Sequence, residues 1–328
     1  MSKSKSASEK RADLNALRDR LKTPESAQAL RKGLADRSNR VVGKAAEIVA
    51  ETDDKGFEDD LKAAYARLLS DPVKSDPGCL GKTAIVEALV KLECRDLDFY
   101  RAAVQYRQYE GVWGGDEDTA AQLRAAAAIG LVLCSSLLEA LNRFAEMLTD
   151  RSKIARAGAA RAIAALAHPE GVPLLRLKLL LGDKEPEVVG ECCAAMLQLA
   201  PDDGLPLVVQ QLASPNPDVA LQVALALGES RHRQALEPLR SAWRSQPDAD
   251  TRAALLIPIA LLRTAEANEF LLSLLRGRDA RAAADALRAL KIHGKSGDLR
   301  RQIEEVVRKT GNSQLVTAFE REFGPAER

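Results

Sequence analysis

Aromatic side chains are scarce in this chain of 328 residues: two Trp, four Tyr and six Phe, 4 % of the total. With Ala and Leu dominating the apolar set, that scarcity suits closely packed helices better than a sheet core. No apolar run is long enough to span a bilayer. Neither sign of charge is in excess, since 48 Lys and Arg face 47 Asp and Glu. No global field therefore draws the protein to nucleic acid or to an anionic membrane. The five cysteines (Cys79, Cys94, Cys134, Cys192 and Cys193) contain no CxxC pair. They read as reduced core thiols in a reducing compartment. The N-terminus MSKSKSASEK has no apolar stretch of the secretory kind, so a cytoplasmic protein is expected. The three histidines, His168, His232 and His293, stand far apart, and none has Cys, Asp or Glu at helical ligand spacing that would make a metal site. Nothing reads as a Ser-His-Asp or Cys-His nucleophile either, so no metal, cofactor or catalytic residue is expected.

What is present is a register. A helix ends, and a turn carries Asp. Five residues later comes the first buried position of a second helix. Those positions are Val41, Gly81, Leu123, Ala155, Val188, Val219, Thr251 and Ala282, spaced by 40, 42, 32, 33, 31, 32 and 31. Eight residues further on, every repeat holds a large apolar residue: Val49, Leu89, Leu131, Ile163, Met196, Leu227, Ile259 and Leu290. Seven further on, most hold Ala or Gly, as close helix packing requires. The turn position is Asp36, Asp76, Asp118, Asp150 and Asp183, then Ser214, Gln246 and Gly277. One helical period does not keep phase across intervening turns by chance, so the chain is a repeat array.

The pattern resembles HEAT repeats, in the style of the short HEAT-like repeats of bacterial proteins and bilin lyases. The resemblance implies an all-α fold: an α-solenoid of about eight helix pairs with polar capping helices. It implies that second helices line a concave side, and that the turn Asp and an Arg one residue after the first buried position bond across neighbours as a ladder. Asp76, Asp118, Asp150 and Asp183 fit the acidic column. Lys82, Arg124, Arg156 and Arg252 fit the basic one, whereas Val42, Val189, Ala220 and Ala283 do not. The ladder is expected to be strongest in the middle.

Residues 1–10 read as a disordered tail, 11–24 as an N-terminal capping helix, 25–292 as the repeat array and 298–323 as a C-terminal capping pair. Each turn Asp is expected to cap its second helix, worth about 1 kcal/mol. Pro258 sits inside a second helix and should kink it.

Several stretches invite a functional reading. Gly78-Cys-Leu-Gly-Lys-Thr83 looks like the end of a phosphate loop, but that motif needs four residues between its glycines and a preceding strand. Here there are two residues and a turn, which leaves only the possibility of a casual anion at a helix start. Basic residues cluster at Arg151, Lys153, Arg156 and Arg161, and at Arg231, Arg233, Arg240 and Arg244. The second-helix positions three, six and ten after each first buried position should face the concavity. They are charged in some repeats, as at Lys44, Glu47 and Glu51, and apolar in others, as at Ala126, Ile129 and Leu133. Such a face suits a protein or peptide better than a phosphate backbone.

The remaining candidate is the loop before Leu123. Phe99, Tyr100, Tyr106, Tyr109 and Trp113 fall within it or just ahead of it, and the following Glu110–Asp116 segment is glycine-rich, flexible by composition and acidic at its end. These aromatics are either binding anchors or plugs, with Trp113 folding back over the core. The preceding repeat is also long, through residues 69–78, so two long loops should project side by side from one rim. The leading expectation is a non-enzymatic protein-interaction scaffold that uses Tyr106, Tyr109, Trp113, Ile129, Leu133 and Arg161. The alternatives are a bilin-lyase-like subunit, a DNA glycosylase of the HEAT type, or a nucleic-acid binder using the basic tail with Arg151–Arg161. The DNA glycosylases of this kind have a Lys- and Arg-rich concave face, and the hydroxylases carry a His-Glu iron-binding pattern. Neither feature is present here.

Overall fold

The computed structural model describes residues 5–21, 23–293 and 297–324. It divides into two blocks, residues 1–167 and 168–328, each an α-helical stack. The first block holds α1 (Ala7–Asn15), then the pairs α2 (Pro24–Leu34) with α3 (Asn39–Val49), α4 (Glu58–Leu68) with α6 (Leu80–Lys91), α7 (Leu97–Ala103) with α8 (Ala121–Cys134), and α9 (Leu137–Met147) with α10 (Lys153–Leu166). A single-turn helix, α5 (Pro72–Ser75), precedes α6, and a hairpin of β1 (Tyr109–Val112) and β2 (Gly115–Asp118) precedes α8. The second block pairs α11 (Val172–Leu181) with α12 (Pro186–Leu199) and α13 (Pro201–Gln211) with α14 (Pro217–Glu229). It continues with α15 (Leu236–Ser245) against the broken helix α16 (Ala249–Ala254) and α17 (Leu256–Leu261), and α18 (Ala265–Leu275) with α19 (Ala280–Leu290). The pair α20 (Gly297–Thr310) and α21 (Ser313–Phe323) follows.

Within each block, second helix stacks on second helix: α3 on α6, α6 on α8 and α8 on α10, then α12 on α14, α14 on α17 and α17 on α19. The sequence register explains this. The residues four, seven and eight after each first buried position are buried in all eight pairs. Apolar stripes that one pair cannot bury alone are thus buried by stacking. Each block has the stacked helix pairs of the α-solenoid that the resemblance implied, and among the described residues one two-stranded hairpin is added.

The small positions set how closely helices meet. A Cβ built on Gly130 in α8 would lie 2.2 Å from ring atoms of Tyr100, which α7 holds with no exposure. Gly130→Ala should therefore destabilise the protein by about 1–3 kcal/mol in urea denaturation, the usual range for overpacking. Gly43→Ala in α3 is the control, because its Cβ would meet nothing closer than 3.6 Å. Equal costs for the two would refute the close contact.

Four expectations change. The chain is already helical from Ala7, inside the stretch expected to be a disordered tail. Ser6 Oγ accepts the Glu9 N–H and the Glu9 carboxylate accepts the Ser6 N–H, a capping box that starts α1 early. The helix then ends at Asn15, and a 3-10 turn at Arg18–Arg20 replaces the rest of the expected capping helix. Residues 1–4 of the expected tail, Lys22, and 294–296 between the expected array and its C-terminal capping pair lie outside the described residues. The turn aspartates mostly do not cap the helix. Asp36, Asp118, Asp150 and Asp183 accept the N–H two residues on, from Ser38, Ala120, Ser152 and Glu185. Their helices start three residues after the Asp, so the carboxylate reaches the turn first. Among these five, Asp76 alone reaches into its helix, which starts four residues later, at Leu80. Finally, Pro258 does more than kink its helix. Its missing N–H falls opposite Ala254, and the helix divides at Leu255 into α16 and α17.

Candidate functional site

The two long loops of the first block meet around a buried charge. Asp76, in the turn before α6, and Lys82, on the first turn of α6, have no exposed side-chain surface and pair at 3.0 Å. Asp76 Oδ1 accepts the Gly81 N–H (2.8 Å) and a bond from Asn39 Nδ2 (2.9 Å), while Oδ2 accepts the Lys82 N–H (2.9 Å). The carboxylate is thus held by four donors, as a buried charge needs. The Lys82 ammonium also lies 3.5 Å from the Leu68 carbonyl and 5.6 Å from the centroid of the Tyr106 ring.

The hairpin is built onto this cluster. Gly78 (φ 72°) and Cys79 (φ 53°) are both left-handed, and the Gly78 N–H donates to Glu110 of β1 at 2.7 Å. Gln108 Nε2 donates to the Asp76 carbonyl (2.9 Å) and to Glu110 (2.7 Å), and Thr119 Oγ1 donates to Glu110 (2.7 Å). The Tyr106 hydroxyl donates to Gln108 Oε1. Burial pushes the Glu110 carboxyl up, but the Thr119, Gln108 and Gly78 donors outweigh it and hold the group below its ordinary range. On the other side, Arg124 of α8 has no exposure. Its guanidinium donates to the Tyr106 carbonyl (3.0 Å) and pairs with Asp118 (2.7 Å) and with Asp150 of the next turn (3.2 Å). Arg107 pairs with Asp150 at 2.9 Å. Burial raises the Asp118 carboxyl, yet Arg124 holds it below the usual aspartate value. Both legs of the hairpin are therefore fixed at the base.

The tip is the opposite. β1 and β2 pair from Tyr109↔Asp118 to Val112↔Gly115, and the reversal uses Trp113 with Gly114 (φ 101°). Trp113 is fully exposed (104 %), Val112 is exposed beside it, and Tyr109 is exposed at the base end of β1. Leu69, Val73 and Leu80 of the neighbouring loop are exposed as well. Six of the thirteen large apolar side chains exposed among the described residues thus belong to these two long segments.

The sequence candidates divide accordingly. Tyr109 and Trp113 are both exposed on the hairpin, Tyr109 at the base end of β1 and Trp113 at the tip. Tyr106 is half-buried beneath it, and burial raises its hydroxyl pKa to about 12, so it belongs to the base. Ile129 and Leu133 are half-buried on α8 and Arg161 is exposed on α10, all on the second-helix face. Of the positions expected to face outward there, Gly158 and Asp285 are buried instead, Gly158 because α10 closes onto Ala125. The basic column has several fates. Lys82 pairs within its own repeat, whereas Arg124 bridges two turns. Arg156 Nη1 donates to the carbonyls of Asp150 and Arg151. Arg252 lies over the Trp243 ring at 6.0 Å, because Gln246 and Gly277 stand where the carboxylates would be. Asp183 pairs with Lys178 at 2.7 Å.

The casual anion is ruled out at Gly78–Thr83, because Asp76 already takes the Gly81 and Lys82 N–H groups and Glu110 takes that of Gly78. Cys79 is buried there, and burial pushes its thiol up to about 12, which withholds the thiolate a nucleophile needs. Among the described residues, no three His, Cys, Asp or Glu side chains come together as a metal site. The sequence reading missed Asn39, Gln108 and Thr119. The one available signal was Gly114-Gly115, a turn-forming pair that overlaps the reversal at Trp113-Gly114.

A model described as HEAT repeats matches residues 175–260 and, overlapping, 205–291. Residues 175–291 are HEAT repeats. The matched HEAT units lie in the second block, so the hairpin and the buried cluster fall outside them. No curated protein matches in sequence. Among solved structures, the chain is similar to one in the complex of CpcE and CpcF of phycocyanin lyase from Nostoc. That match has 17 % identity, covers 76 % of this chain and 94 % of that one, and has a TM-score of 0.41. It is also similar to human deoxyhypusine hydroxylase in complex with glycerol (19 %, 76 % and 88 %, 0.32) and to Kap121p bound to Nup53p (14 %, 98 % and 44 %, 0.46). At these identities the likeness is one of fold alone. No helix among the described residues is long and apolar enough to cross a membrane.

Proposed function

We propose that this chain is a non-enzymatic scaffold that binds a protein or peptide partner through the β1–β2 hairpin and the loop beside it. Ile129, Leu133 and Arg161 of the second-helix face extend that surface. The observation that carries the reading is the contrast between a base fixed by buried charges and a tip whose Trp113 has no cover. An aromatic anchor on a fixed base loses little freedom on binding, which is how hot-spot residues concentrate affinity. Nucleic acid is a poor partner for this surface, since the hairpin carries Glu110, Asp116, Glu117 and Asp118 and no cation. The five free thiols suit the cytoplasm as its compartment.

Trp113→Ala combined with Tyr109→Ala tests the reading. The pair should leave thermal stability within about 0.5 kcal/mol of the parent, as for exposed positions. Partner recovery by affinity purification should fall by about tenfold or more. Unchanged recovery, or unfolding of the double variant, would sink the assignment.

A further inference from the structure

A two-stranded sheet has two outer edges. Among the described residues, no backbone group of residues 109–118 bonds to anything beyond the hairpin itself. Open edges are hazards that proteins blunt with charge and short length. β2 is blunted in one direction only: it reads Gly-Asp-Glu-Asp, and no Lys or Arg occurs between Gln108 and Leu123. Asp118 is neutralised by Arg124, and Glu110 is held by three donors. Asp116 and Glu117 are exposed and make no ion pair among the described residues. This edge repels acidic strands and matches basic ones.

We infer that β2 takes an extended, positively charged segment of a partner protein as a third strand, with Trp113 closing over its end. The inference rests on the scaffold reading above and names the partner's chemistry. Three physical steps support it. Strand addition would satisfy the free N–H and C=O groups of β2 and so supply affinity that does not depend on side chains. Side chains of the added strand would stand opposite Asp116 and Glu117, where Lys or Arg is favoured and Asp or Glu is disfavoured, and this sets specificity. A cation beside the strand end meets the face of Trp113, the best aromatic partner for one. The fixed base matters as well, because a hairpin that had to fold on binding would give back part of that affinity.

The test uses the full chain and three fluorescein-labelled decapeptides read by fluorescence polarisation: alternating lysine and threonine, alternating glutamate and threonine, and a lysine–proline–proline repeat, whose prolines fall on both edges of an extended strand. The first should bind. The second lacks the charge and the third lacks N–H donors at positions facing β2 in either register, so each should bind about tenfold more weakly or worse. Asp116→Asn with Glu117→Gln, both exposed, should keep the parent melting temperature, weaken the lysine–threonine peptide by about tenfold, and flatten its dependence on salt. Failure of that peptide to bind overturns the inference. So does equal binding of the lysine–proline–proline peptide, which would show charge attraction without a strand, or indifference to the double charge removal. The outcomes are separable from those of the scaffold reading. Loss of natural partner recovery in the Trp113 and Tyr109 variant, with no peptide binding, keeps the scaffold and discards the basic strand. Peptide binding that is lost in the charge variant, with natural recovery untouched by Trp113 and Tyr109, does the reverse.

Discussion

Replacing Asp76 by alanine should lower the unfolding free energy by about 3–5 kcal/mol, the range for breaking a fully buried ion pair from one side. The loss comes from what is left behind. Lys82 has no exposure, and without Asp76 its ammonium has only the Leu68 carbonyl at 3.5 Å and the Tyr106 ring nearby. The Gly81 and Lys82 N–H groups at the start of α6 lose their acceptor, and Asn39 keeps only its bond to the Pro77 carbonyl. Lys82→Met in the same background removes the stranded charge, so the double variant should be more stable than Asp76→Ala by about 1–4 kcal/mol. Urea denaturation followed by circular dichroism reads both. A cost below about 1 kcal/mol for Asp76→Ala, as at exposed pairs, would mean that the pair is wet and the cluster is not the anchor drawn here. Failure of Lys82→Met to recover stability would shift the loss from stranded charge to helix capping.

This cluster also marks where sequence reasoning stops. The eight-fold register was legible because burial repeats with the helix period, and each residue four, seven and eight past the first buried position is buried as that period requires. The Asp column was legible for the same reason. Its roles were not, because one residue more or less between the Asp and the helix decides whether the carboxylate reaches a turn or a helix N–H. Lys82 and Arg252 occupy the same column, yet one is sealed in the core and the other lies over an indole. What separates them is the residue in the Asp column. The hairpin was read as a flexible loop because its strands are four residues long and largely exposed, leaving almost no burial pattern to see. Its anchors are also non-local: Gln108 and Glu110 bond to Asp76 and Gly78, far back in the chain, and no periodicity links them.

Arg124→Met carries the hairpin argument to its sharpest test. Methionine keeps the apolar stem and removes the donors that hold Asp118, Asp150 and the Tyr106 carbonyl. Asp150 retains Arg107, but Asp118 is left part-buried without a cation. The expected loss is about 3 kcal/mol, the lower end for a buried pair broken from one side. It should be concentrated at the base of the hairpin. The Gln108 N–H, which donates to Asp118, and the Thr119 N–H, which donates to the Gln108 carbonyl, should exchange with solvent about tenfold faster or more, relative to amides of α3. Acid behaviour should shift too. In the parent, Asp118 has a folded pKa below the unfolded value of about 3.9. It therefore contributes stability that is present above about 3.9 and lost as pH falls through the lower folded value. Without Arg124, burial remains and raises the carboxyl, so the variant should begin to lose stability from a higher pH and its acid-unfolding midpoint should move up. Should global stability fall while hairpin exchange and the acid midpoint stay put, Arg124 would be a core residue with no hold on the hairpin. The fixed base on which Trp113 is presented would then have to come from Gln108 and Glu110 alone.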